Sequence, residues 1–152
     1  MSKFKIYAPS ILIPVLLGAA VGLLTRNPEG FETLQKPPLS PPAWLFPVAW
    51  TILYILMGVS YGLLKEKGLL DNTVKGVYYA QLAVNLIWPF LFFLLEWRLF
   101  AFIWLILLII LVIAMIAVFY KRDKAAALLQ IPYLLWLVFA GYLNLAVYLL
   151  NG

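Results

Sequence analysis

Three sets of residues are spaced to do more than fill space. Trp50, Tyr54, Met57 and Tyr61 recur at offsets of 4, 7 and 11, and so do Gln81, Asn85, Trp88 and Phe92. Tyr133, Trp136, Ala140 and Asn144 follow at offsets of 3, 7 and 11. On a helix each set occupies one face. Indole and phenol rings stack on a flat apolar molecule, amides meet its polar edges, and a small residue such as Ala140 leaves it room. The amides carry a second reading, in which Asn85, Gln81 and Asn144 bond between helices and the rings fill a core. Polar side chains are costly against lipid, so both readings turn these faces inward. Trp44, Trp97, Tyr120 and Tyr148 fall near the ends of apolar runs and suit interfacial belts.

Most catalytic chemistry is missing. The 152 residues hold no His and no Cys, which removes the usual general base, the commonest metal ligands and any thiol nucleophile. No apolar run has a carboxylate between its ends, so no paired-acid site or proton relay is visible. No metal site and no cofactor are expected. Glu29, Glu32 and Lys36 read as loop charges.

The elements that must position these residues follow from composition. The chain is 66% hydrophobic and 11% charged, with a mean hydropathy of +1.02. A soluble domain of this length has no use for so much apolar surface. The expected fold is an all-α integral membrane bundle of five transmembrane helices, a single domain over 1–152 with the lipid bilayer as its surroundings. Five apolar runs are long enough to span, at about 6–25, 43–64, 76–95, 99–120 and 125–150. The longest connection, 26–42, is stiffened by Pro37, Pro38, Pro41 and Pro42, with Pro42 suited to the first turn of the second helix. Pro14, Pro47, Pro89 and Pro132 fall inside the predicted helices, where each bends its helix or is tolerated as a kink. Gly18-x-x-x-Gly22 and Gly58-x-x-x-Gly62 are close-approach motifs that pack the first two helices together or build a dimer.

Eight of the eleven Lys and Arg residues fall on one side: Lys3, Lys5, Lys65, Lys67, Lys75, Lys121, Arg122 and Lys124. Arg26, Lys36 and Arg98 fall on the other. Positive-inside orientation places the N-terminus in the cytoplasm and the 26–42 loop outside. Lys3-Phe4-Lys5 and Gly18-Ala19-Ala20 have signal-peptide form, but the apolar run continues to Leu24, favouring a retained span. The net charge of +5 has no basic track for nucleic acid.

The run Leu34-x-Lys36-Pro37-x-x-x-Pro41-Pro42 with Phe46-x-x-x-Trp50-x-x-Leu53-Tyr54-x-x-Met57-Gly58 resembles the signature of the TspO/MBR family. Gln81-Leu82-x-x-Asn85-x-x-Trp88 with Phe92-Phe93 looks like its third-helix motif, and Pro132-Tyr133-Leu134-x-Trp136-x-x-Phe139-Ala140-x-x-Leu143-Asn144 its fifth. Those proteins are the tryptophan-rich sensory proteins and the mitochondrial translocator protein, or peripheral-type benzodiazepine receptor. The resemblance implies a five-helix receptor or transport-type protein, a homodimer, with a pocket under the first loop for tetrapyrroles such as protoporphyrin IX or haem, or other planar hydrophobic ligands. It implies Trp50, Tyr54, Asn85, Trp88, Phe92, Trp136, Phe139, Ala140 and Leu143 as ligand-binding residues, with Phe31, Lys36, Pro41 and Pro42 in the covering loop. Its alternative activity is a light- and oxygen-dependent degradation of porphyrin through Trp50 and Trp136. The location it implies is a prokaryotic cell membrane, or the mitochondrial outer membrane in a eukaryote. Gly30-Phe31 stands where the family usually has Trp-Tyr, and Pro89 where it usually has Ser; the first removes an indole or phenol from the loop and the second bears on the pocket floor.

Overall fold

The computed structural model describes residues 2–27, 30 and 32–152, which form helices and connections without strands. The helices are α1 (Lys3–Leu24), α2 (Leu45–Glu66), α3 (Asn72–Pro89) continuing as a π-helical turn (Phe90–Leu94), α4 (Arg98–Arg122), α5 (Lys124–Leu128) and α6 (Ile131–Asn151). They make five segments long and apolar enough to cross a membrane. α4 sits between α3 and α6, and α1 lies on the outside against α2.

α4 shows how packing follows sequence. Ala101, Leu105, Leu108, Val112, Met115 and Phe119 recur three or four residues apart and are fully buried, whereas Ile103, Ile106, Ile110 and Ile113 face outward. Aliphatic residues all round are what a helix needs between protein on one side and lipid on the other.

Helix ends differ from the sequence reading where caps and prolines intervene. α3 begins four residues before the expected 76, because the Asp71 carboxylate caps it by accepting from the Val74 N–H at 2.9 Å. α2 begins after Pro42, not on it: the Leu45 N–H donates to the Pro42 carbonyl at 3.0 Å, a tight turn that precedes the helix. Pro47 therefore falls in the first turn and needs no kink. The fifth span is interrupted. Pro132 has no N–H to offer one turn back, and Gln130 N–H turns to the Ala127 carbonyl at 3.0 Å. The Ala126 carbonyl thereby loses its helical donor and accepts from the Ser60 hydroxyl at 2.7 Å instead. Pro132 becomes a first-turn residue of α6. Pro89, which cannot serve the Asn85 carbonyl, is followed by the wide π turn, closed by Leu95 N–H on the Phe90 carbonyl at 2.9 Å.

The two ends of the bundle are tied separately. At one end Lys67 pairs with Asp123 at 2.7 Å, Arg122 with Asp71 at 2.9 Å, and the Tyr7 hydroxyl donates to Glu66. At the other, the 26–42 loop is held by paired amide contacts between Gln35 and Asn151 at 3.0 and 2.8 Å. There the Tyr142 hydroxyl donates to the Pro38 carbonyl at 2.7 Å, and Asn27 donates to the Phe93 carbonyl at 3.2 Å. Leu39 turns this loop at φ 70°, an uncommon conformation for a side-chain-bearing residue.

α1 and α2 meet through glycine. A Cβ on Gly58 would lie 2.5 Å from the Ile11 Cα and from the Ser10 carbonyl oxygen, backbone that cannot step aside. Gly62 abuts the Tyr7 ring and Gly18 the Tyr54 ring, while Gly22 faces open space. Three of the four motif glycines thus serve α1–α2 packing. Gly58→Ala is expected to destabilise by about 1–3 kcal/mol, the usual range for overpacking, with Gly22→Ala close to neutral; unfolding midpoints in detergent check this. The Asp123 carboxyl sits below the ordinary Asp value, chiefly through its bond from Lys67, and Asp71 is lowered by the Val74 N–H and then by Arg122. Depressed carboxylates contribute stability above their unfolded value, and it is lost as pH falls through the folded one. Acid titration should therefore loosen this end below about pH 4, an effect that Asp123→Asn should blunt in hydrogen exchange of 121–130.

Candidate functional site

The inward faces of α2, α3 and α6 meet in a buried chain of hydrogen bonds. The Tyr54 hydroxyl donates to Asn85 Oδ1 at 2.6 Å, and Asn85 Nδ2 donates to the Tyr133 hydroxyl at 2.7 Å. Tyr133 in turn donates to Gln81 Oε1 at 2.8 Å, and Gln81 Nε2 reaches the Met57 sulfur at 3.4 Å. Asn85 is the hinge of this chain, spending donor and acceptor on two different helices. The amides therefore do bond between helices.

Above this chain the rings close on one another. Trp50 lies edge-on to Trp136, 6.3 Å between centroids at 87°, and contacts Tyr54 at 5.8 Å and Tyr133 at 6.5 Å. Trp136 also meets Phe46 at 6.0 Å and Phe139 at 5.6 Å. Trp50 and Trp136 are half-buried and point at each other across the α2–α6 junction. The space between them holds their own rings. Two open cavities among the described residues lie elsewhere: one of about 10 Å³ near Asn27 and Arg98, and one of about 100 Å³ between α1, α2 and α3.

A second group lies towards the tethered loop. Trp88 stacks on Phe92 at 5.1 Å and donates its indole N–H to Asn144 Oδ1 at 3.0 Å. Asn144 Nδ2 donates to the Arg98 carbonyl at 2.8 Å, which joins α6 to the start of α4. Among the described residues no ring contact links this group to Trp50 and Trp136. The sequence set is thus divided: Trp50, Tyr54, Trp136 and Phe139 with one cluster, Trp88 and Phe92 with the other, and Asn85 beneath the first. Ala140 and Leu143 share the buried face of α6 with Tyr133 and Asn144. In the loop Lys36 is half-buried with its ammonium on the Glu32 carbonyl at 3.4 Å, Pro41 is half-buried and Pro42 exposed. Phe31 lies outside the described residues.

Two features were not singled out from sequence. Arg98, counted from sequence only among the charges of the less basic side, has a side chain only 10% exposed, pairs with Glu96 at 3.6 Å, lies 5.9 Å over the Phe92 ring, and keeps a buried Nε–H without a partner. The Trp136 indole N–H is likewise buried and unpartnered. The Phe92 stripe six residues before Arg98 was the available signal for the first; nothing in the sequence marks the second.

A five-span helical bundle with an inward aromatic cluster beneath a tied-down proline loop is an integral membrane protein of receptor type. The chain belongs to the TspO/MBR family, whose model matches residues 10–150. It is similar to the tryptophan-rich protein TspO of Archaeoglobus fulgidus, 40% identical over 155 residues and the whole of both chains. It is 39% identical over 140 residues to the translocator protein of Bos taurus, covering 88% of this chain and 82% of that one. The tryptophan-rich sensory protein of Cereibacter sphaeroides is 33% identical over 135 residues, 88% of this chain and 84% of its own.

Asn85→Ala is expected to cost about 1–3 kcal/mol, since it strands the Tyr54 hydroxyl and takes from Tyr133 one of its two partners, leaving the bond to Gln81, and to cost more than Tyr54→Phe. A double-mutant cycle on the pair, read by equilibrium unfolding in detergent, should give a coupling of about 0.5 kcal/mol or more.

Proposed function

We propose that this protein binds a tetrapyrrole such as protoporphyrin IX or haem within the bundle, as a receptor or carrier at the membrane. The observation that carries the proposal is the half-buried Trp50–Trp136 pair, with an unpartnered Trp136 indole N–H beside it. Two edge-on indoles that rotate apart present flat faces to a macrocycle, and the orphaned N–H gains an acceptor. Entry then requires the 26–42 loop to lift, breaking its exposed hydrogen bonds to Asn151 and Tyr142. Arg98, with Lys36 and Arg26, supplies cationic donors for the acid side chains of such a ligand. The charge asymmetry supports a loop on the side away from the cytoplasm.

The contact between Trp50 and Trp136 also supports a second activity, in which light and oxygen oxidise bound porphyrin with these indoles as redox-active rings. Loss of porphyrin absorbance under illumination that persists in Trp50→Phe/Trp136→Phe would remove that role.

Protoporphyrin IX at micromolar concentration should quench tryptophan fluorescence of the purified protein, and Ala140→Leu should weaken it about tenfold or more by filling the face the ligand needs. Arg98→Gln should weaken protoporphyrin IX more than its dimethyl ester, which lacks the carboxylates. Absence of quenching in the unaltered protein would overturn the proposal.

A further inference from the structure

At the end of the bundle opposite the loop, α1, α2 and α3 leave a notch of about 100 Å³ lined by Pro9, Ser10, Pro14, Tyr61, Lys65 and Tyr78, with Ile13 and Tyr79 at its edge. That volume exceeds what a single water needs, about 10–15 Å³. Tyr78 is 1% exposed, and its hydroxyl is buried without a hydrogen-bond partner. The ring is held there by stacking on Tyr61 at 4.4 Å and by Tyr79 edge-on at 5.2 Å. A buried phenol with nothing to bond is costly unless something else accepts from it.

The electrostatics are one-sided. Lys65 makes no ion pair among the described residues, whereas each carboxylate nearby is engaged: Glu66 accepts from Tyr7, Asp71 pairs with Arg122 and Asp123 with Lys67. Lys3 and Lys5 add positive charge to the same end. Pro14 withholds from the Ser10 carbonyl its ordinary helical N–H, and that oxygen packs against Gly58. Below the notch, α1 exposes Leu12, Ile13, Leu16 and Leu17 as an apolar track.

We propose that this notch binds the headgroup of an anionic phospholipid, with Lys65 and the Tyr78 hydroxyl on the phosphate and the acyl chains along α1. Basic pockets between membrane helices hold acidic headgroups in this way, because an anion both balances a partly buried ammonium and accepts from a phenol. The site is separate from the Trp50–Trp136 cluster and stands without it.

The purified protein in detergent, exposed to phosphatidylglycerol or to phosphatidylcholine of the same acyl chains, is read by native mass spectrometry for retained lipid. Phosphatidylglycerol should be retained in preference. Lys65→Gln should lower its affinity about fivefold, and Tyr78→Phe about tenfold. Lys75→Gln, exposed and outside the notch, should change nothing. Because Tyr78→Phe removes no bond of the lipid-free protein, its unfolding midpoint without lipid should stay level or rise. Equal retention of the two lipids, no retention at all, or either notch variant matching the unaltered protein would overturn the proposal. Displacement of phosphatidylglycerol by equimolar inorganic phosphate would overturn the lipid in favour of a free anion.

Discussion

Asn85 is the interaction on which the rest of the bundle depends. In a membrane, water-driven burial does not pull helices together, and association falls to close packing and to hydrogen bonds between spans. One amide here holds two phenols on two other helices, Tyr54 on α2 and Tyr133 on α6. Those phenols are also the floor on which Trp50 rests. The glycine contacts of α1 and the aliphatic seam of α4 then fix the outer helices around this centre. Stability and site are therefore one arrangement: loosening the amide moves the rings.

The aromatic cluster above that floor is closed, and its closure has a physical cause. Unoccupied space between large rings forfeits dispersion contacts, so the rings fall together edge to edge when nothing lies between them. A ligand that takes their place exchanges one set of ring contacts for another. Among the described residues the loop is held to the bundle by hydrogen bonds through Gln35, Pro38 and Asn27 and by Leu34 packed against the core. Such bonds are weak individually.

Much of this was legible in the chain. Five apolar runs, a proline-stiff connection and three inward faces can be counted from hydropathy and period alone, because lipid leaves helices as the only economical choice for such runs. Proline consequences were less legible. Pro132 starts a helix because Gln130 turns away first, and Pro89 widens a helix instead of merely bending it; both depend on where neighbouring carbonyls find donors. Cap residues such as Asp71 move a boundary past a charged residue that hydropathy treats as an end. The division of the aromatic set into two clusters, and the burial of Arg98, follow from three-dimensional packing that one-helix periodicity does not contain.

The measurement that bears most directly on this account is a structure of the protein loaded with protoporphyrin IX. The account predicts the macrocycle between Trp50 and Trp136, their edge contact broken and the 26–42 loop resting over it. A macrocycle seated on the outside of the bundle, with the two indoles still edge to edge, would contradict it.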